Sequence, residues 1–177
     1  MLRSFIIRRK RGGSMGYMLS SVGISGLVLA SAVFASHVQR ALTRSEGEVR
    51  TLISQWVDAF ESRDYKRLAA LETPDVAVVD RFGELHLPSG RHENEELWED
   101  TFEVVAKSTI RPTVSVDRIR FLRPDLAVVH LTWQFSEGIL LADGAHIPPF
   151  AQVDTFIVTK SQSVWRVAAH NMQERLQ

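Results

Sequence analysis

Cysteine is absent from the 177-residue chain. Disulfides, zinc–thiolate sites, iron–sulfur clusters and a thiol nucleophile are therefore excluded. The compartment stays open, because a cysteine-free chain folds in either redox environment. Phosphate loops, a dinucleotide fingerprint and a Gly-x-Ser-x-Gly elbow are missing as well. The histidines (His37, His86, His92, His130, His146 and His170) form neither His-x-His nor His-Glu-x-x-His, so no metal site is expected. No cofactor is implied. Internal repeats and low-complexity tracts are lacking too.

Net charge is zero in sum, with 21 basic and 21 acidic residues. The sum hides an asymmetry. Residues 1–35 hold Arg3, Arg8, Arg9, Lys10 and Arg11 and no acid, which leaves 16 basic and 21 acidic residues, net −5, beyond them. A domain of that balance has no electrostatic footprint for nucleic acid. Apolar residues make up 45% and charged residues 24%, which suits one globular domain with its own core.

The first 35 residues read as an address. Arg8-Arg9-Lys10-Arg11 precedes an uncharged stretch whose most apolar part, Val22 to Ala35, is 14 residues long. A basic start, an apolar middle and small residues at Val33 and Ala35 fit a cleaved signal peptide cut after Ala35. An uncleaved anchor is the rival, because Tyr17 to Ala35 supplies 19 uncharged residues. Either reading exports the domain, to the periplasm or beyond, and any membrane contact runs through residues 17–35. Residues 36–44 read as a linker and 45–177 as the domain.

Within the domain, Ser45-Glu-Gly-Glu48 has the form of a capping box. Val49, Leu52, Ile53, Trp56, Val57 and Phe60 follow at helical spacing, predicting a helix over about 46–62. A short helix is expected from Tyr65 to Leu71, then short strands at Val76–Val79 and Leu85–Leu87. Residues 93–106 return to helical spacing, with Leu97, Trp98, Phe102 and Val105 inward and a solvated face of six acids. From Thr113 the period becomes two, giving strands over 113–122, 126–137, 151–160 and 164–172. Helices followed by a meander predict an α+β fold. A curved antiparallel sheet would wrap around the N-terminal helices as a cone.

This order, with Trp56-Val-Asp-Ala-Phe60, Arg63-Asp-Tyr65, Glu72-Thr-Pro-Asp-Val-Ala-Val-Val79, Gly90-Arg91, Leu126-Ala-Val-Val129 and Trp165-Arg-Val-Ala-Ala-His-Asn171, resembles the nuclear transport factor 2-like superfamily. Its cystatin-like or ketosteroid isomerase-like cone is thereby implied for residues 45–173. Within the superfamily the chain is most similar to the SnoaL-like, SgcJ/EcaC-type branch. The resemblance implies a pocket inside the cone and a homodimer. It does not decide function, because the fold hosts enzymes and non-enzymes.

Chemistry in such a pocket needs a base and a donor for an oxyanion. Ketosteroid isomerase-like members use an aspartate and a tyrosine. Here Tyr17 lies in the export segment, and Tyr65 occupies a helix-turn position suited to packing. The catalytic candidates are therefore His130, Asp154 and Asp80. If His130 and Asp154 share a face on paired strands, the carboxylate orients the imidazole. Trp133, His170 and Asn171 are the ligand-binding candidates, and of the neighbours His170 and Asn171 only one can face the cavity. Two functions stay open. One is a cone that binds a small, mainly apolar organic ligand, with or without acid–base turnover. The other is a non-enzymatic dimerisation module resembling a kinase association domain. Which face of the sheet His130, Thr132 and Gln134 occupy separates them.

Overall fold

A computed structural model describes residues 23–105 and 112–175, with side chains from Gln39 onward. Residues 40–177 form one compact unit. Three helices, α1 (Gly23–Glu61), α2 (Tyr65–Leu71) and α3 (Arg91–Glu103), are followed or interleaved by eight strands. These are β1 (Glu72–Val79), β2 (Leu85–His86), β3 (Thr113–Arg123), β4 (Leu126–Phe135), β5 (Ile139–Leu140), β6 (His146–Ile147), β7 (Phe150–Ser161) and β8 (Val164–Glu174). Six strands make one sheet in the order β2-β1-β8-β7-β4-β3, and β5 pairs with β6 apart from it. Every pairing in the six-stranded sheet is antiparallel except β1 with β8. Register breaks interrupt the β3–β4 and β7–β8 ladders, and such breaks bend a sheet and increase its twist. The expected α+β architecture is the one observed.

α1 departs from expectation at its start. Residues 36–44, read above as a linker, are helical, and Ser45 lies inside the helix instead of capping it. The capping-box pattern was outweighed by helical pairs that overlap it: Arg44 to Glu48 at 3.1 Å, which spans Ser45, and Glu46 to Arg50 at 2.8 Å, both four residues apart. The segment read above as an export signal lies outside the described residues up to 22, and its remainder is helical backbone. Among the described residues no helix is long and apolar enough to cross a membrane.

α1 ends where Arg63 takes a left-handed φ of +58°. The Arg63 N–H donates to Phe60 and the Asp64 N–H to Ala59, at 3.0 and 2.9 Å, satisfying the last carbonyls. Asp64 then caps α2, its carboxylate accepting from the Arg67 N–H. α3 turns Asn94, Trp98 and Phe102 inward at four-residue spacing and leaves its acids mainly outside.

The core lies between the helices and one face of the sheet. Along β4, Ala127, Val129, Leu131, Trp133 and Phe135 are buried, while the alternate residues Val128, His130 and Thr132 are half-buried and Gln134 is exposed. Cross-strand register carries the alternation over: Val129 opposes Phe156, Leu131 opposes Asp154, and His130 opposes Thr155. Truncation should separate the two faces. Leu131→Ala is expected to cost about 2–5 kcal/mol, whereas His130→Ala should cost under about 1 kcal/mol. Urea unfolding of both variants checks this, and comparable losses would show that the faces are misassigned.

Candidate functional site

The sheet alternation divides the sequence-predicted site residues into two sets. His130 and Asn171 lie on the outer face, in a cross-strand row Arg118–His130–Thr155–Asn171. There His130 Nδ1 is 3.2 Å from the Thr155 hydroxyl. Asp154, Trp133 and His170 lie on the inner face, each no more than 2% exposed. The expected His130–Asp154 pair therefore does not form: neighbouring register positions put the two side chains on opposite sides of the sheet.

Asp80 is in neither set. It closes the β1–β2 turn, accepting at Oδ1 from the backbone N–H groups of Phe82 and Glu84, both at 2.9 Å. Its Oδ2 is 3.3 Å from His86 Nε2. Burial pushes this carboxyl up, but the Glu84 and Phe82 N–H groups and His86 outweigh it, so it is held below the usual carboxylate range. Asp80, Glu84 and His86 offer donor atoms within 4.8 Å of one another. Most of the lone pairs of Asp80 are already committed to the turn.

Asp154 finds a different imidazole. His170 Nε2 is 2.9 Å from Asp154 Oδ2, and Gln152 Nε2 donates to Asp154 Oδ1 at 2.6 Å. Asp154 opposes Met172 and His170 opposes Phe156, so the pair reaches diagonally from β7 to β8. With its Nε2–H given to the carboxylate, a neutral His170 keeps Nδ1 as an acceptor. That nitrogen is buried and has no protein partner.

A second carboxylate, Glu72, sits in the same interior. It is fully buried at the start of β1. Trp56 Nε1 donates to its Oε1 at 2.9 Å, while Asn94 Nδ2 and Trp98 Nε1 donate to Oε2 at 3.0 and 2.8 Å. Burial pushes the Glu72 carboxyl above its ordinary range, against the lowering effect of these three donors and of the nearby His170. Three elements, α1, β1 and α3, are tied together at this one group.

Trp56 is the ring around which the interior is organised. Its centroid lies 4.9 Å from Phe156, 5.1 Å from His170, 5.5 Å from Trp98, 5.7 Å from Phe60 and 6.1 Å from Trp133. Three buried polar atoms in this neighbourhood lack a partner: Asn94 Oδ1, Trp133 Nε1 and His170 Nδ1. The set offers one amide acceptor, one N–H donor and one imidazole nitrogen, surrounded by aromatic rings. The three atoms are closed in among these rings, and neither of the cavities described next is lined by them.

Near the C-terminal end of α3 lies an open cavity of about 680 Å³. Arg63, Tyr65, Glu99, Phe102, Glu103, Val105 and Ala142 line it. A hydrogen bond to Glu99 pushes the Tyr65 hydroxyl up, so this phenol is engaged at the rim and does not reach the interior set. A smaller cavity of about 360 Å³ lies between α1 and the β7–β8 turn.

Sequence reasoning missed Glu72, Asn94, Trp56 and Trp98 as site residues. The available signal was modest: Asn94, Trp98 and Phe102 at four-residue spacing, and an acid placed directly between Leu71 and Thr73 where a strand begins. Glu72 also supplies a pH test. Its folded-state pKa is raised above the ordinary 4.5, so its contribution to stability is full below that value and falls as pH rises above it. Glu72→Gln should remove this slope, while costing about 1–3 kcal/mol because an amide NH₂ meets an N–H donor. Urea unfolding of both proteins from about pH 4 to pH 8 reads the difference, which should shrink as pH rises. A constant difference would mean that Glu72 titrates alike in folded and unfolded chains.

Solved structures share this architecture. A ketosteroid isomerase-like protein from Erwinia carotovora is 17% identical with a TM-score of 0.64, over 74% of this chain and 96% of that one. An uncharacterised protein with a cystatin-like fold from Caulobacter vibrioides is 18% identical with a TM-score of 0.63, over 75% and 91%. A kinase II association domain from Xanthomonas campestris gives 19% and 0.54, over 73% and 87%. At these identities the likeness establishes the fold alone. No curated protein gives a significant match. The SnoaL-like domain pattern matches residues 49–172, from the first buried turn of α1 to the strand that carries His170, and the chain belongs to that family.

Proposed function

We propose that this domain binds a small, flat, mainly apolar organic molecule bearing one hydroxyl group, held between the helices and the inner face of the sheet. The observation that carries this reading is the trio of unpartnered buried polar atoms, Asn94 Oδ1, Trp133 Nε1 and His170 Nδ1, in an aromatic surround. A buried polar atom without a partner costs about 1–3 kcal/mol. A ligand hydroxyl that accepts from Trp133 Nε1 and donates to His170 Nδ1 relieves two of the three. The aromatic rings supply the apolar contact, and the polar trio fixes orientation. Where the ligand is turned over, His170 oriented by Asp154 is the acid–base group, in place of His130.

His130, Thr132 and Gln134 lie on the outer face, the placement expected of an interaction module, so the ligand reading rests on Asn94, Trp133 and His170 alone, and the outer face has a separate role. The row Arg118–His130–Thr155–Asn171 faces away from the interior and is available to a second copy of the chain, as a homodimer. The basic and apolar segment before the domain supports export, so the ligand is met outside the cytoplasm.

Binding is tested with 2-naphthol, a flat bicycle with one hydroxyl, against naphthalene, which lacks it. Tryptophan emission of the full-length protein is titrated with each. Naphthol should bind saturably and more tightly than naphthalene. Trp133→Phe keeps an aromatic ring and removes the N–H, and it should weaken naphthol binding about three- to tenfold more than it weakens naphthalene binding. Native mass spectrometry of the same protein reads the oligomer and any retained molecule together. If neither compound binds and the protein is an empty dimer, the interaction-module reading replaces this one.

A further inference from the structure

The interior just described is closed, and the 680 Å³ cavity beside it is open. One side chain belongs to both. Phe102 lines the cavity yet is only 5% exposed. Its ring lies 5.6 Å from Phe60 and 6.3 Å from Trp98. Phe60 in turn packs 5.4 Å from Trp133 and 5.7 Å from Trp56. Trp98 packs 6.3 Å from His170 and donates to Glu72. From Phe102, two ring-to-ring steps reach both Trp133 and His170, which carry two of the three unpartnered atoms.

The outer side of the Phe102 ring is covered by Arg63. The guanidinium carbon is 5.6 Å from the ring centroid, and Nη2 donates to the Val105 carbonyl at 3.0 Å. Arg63 is also the residue with φ of +58° that ends α1. Glycine adopts that conformation without penalty, while a side chain pays roughly 1 kcal/mol. An arginine here accepts that cost and in exchange fastens the helix end, the Phe102 ring and the segment after α3 at one point.

We infer that the 680 Å³ cavity is the entry site for the interior, and that Phe102 is its gate: the Phe102 ring fills, in the free domain, the place against Phe60 and Trp98 that an aromatic ligand takes when bound. This rests on the reading of the interior as a binding site. Entry begins in the cavity, whose rim carries the hydrogen-bonded Tyr65 and Glu99. The Phe102 ring leaves its contact with Arg63 and swings toward the cavity. The ligand ring replaces it, and the hydroxyl accepts from Trp133 Nε1 and donates to His170 Nδ1. The gate selects flat rings of the size of the one it replaces.

Stopped-flow tryptophan quenching by 2-naphthol tests the gate on the full-length protein. Phe102→Leu, smaller and more easily displaced, should raise the association rate at least fivefold. Phe102→Trp should lower it by a similar factor. Because the ring stays displaced in the bound state, dissociation rates should change far less than association rates, and Kd should fall in Phe102→Leu and rise in Phe102→Trp. Leu131→Ala makes space in the core away from the cavity and should leave the association rate within about twofold. Equal association rates in the wild type and both Phe102 variants, or an equal acceleration by Leu131→Ala, would overturn the gate while leaving interior binding standing. Should naphthol fail to bind the wild type, interior binding fails, and acrylamide quenching reads the gate by itself. In that experiment Phe102→Leu should increase the quenching constant of a Trp165→Phe background at least twofold, because Trp56, Trp98 and Trp133 then answer alone. An unchanged constant overturns the gate.

Discussion

Everything in this domain that lies between helix and sheet is organised by a buried carboxylate. Glu72 has no solvent, so its oxygens are satisfied by three N–H groups from α1 and α3. Those three donors come from side chains that also form the core: two indoles and the amide one turn ahead of the second. The consequence is geometric. The carboxylate holds the two indoles edge to face at 5.5 Å, and that arrangement sets the position of every ring stacked on Trp56. A purely apolar core would tolerate sliding of α3 over α1, whereas three directed hydrogen bonds to one group do not.

The strand period then decides which residues join this centre. The first and last parts of the reading were legible in the sequence. The change of period at Thr113, the two short helices flanking the first strand, and the antiparallel meander all follow from local patterns, and the family resemblance rested in part on residues that the structure places in the core, such as Trp56, Val129 and Trp165. The inward position of Trp133 and the placing of His170 and Asn171 on opposite sides also follow from alternation. Pairing did not. His130 and Asp154 are both mid-strand, and only the register, Leu131 opposite Asp154, shows that they face apart. Strand phase is a long-range property: a shift of one residue exchanges the faces without altering any local pattern. The site at Glu72 was hidden for a related reason. Its partners lie 16, 22 and 26 residues away in the chain, and no short motif spans them. The start of α1 was misjudged in the other direction, because a good local cap signal at Ser45 lost to helix-forming residues and ion pairs on both sides of it.

The polar content of this interior is difficult to explain as stabilisation. A buried carboxylate–imidazole pair recovers at best most of the desolvation it costs, and apolar residues of like volume commonly do as well or better. Glu72 makes the same point, since burial outweighs three hydrogen bonds in setting its proton affinity. A core built only for stability would have no reason to hold two carboxylates, an imidazole and two amides within one aromatic shell. Stability alone also offers no reason to leave three of their neighbouring polar atoms without partners. Those features become economical together when a further molecule completes the hydrogen bonds. The rings provide its apolar contact, the Asp154–His170 pair provides a fixed tautomer, and the closed shell makes each polar contact stronger by excluding water. The open cavity at Phe102 is then the counterpart of that closure. An interior dry enough to make such groups effective must also have a way in, and between the open cavity and the rings around Trp56 stands one phenylalanine ring under one arginine.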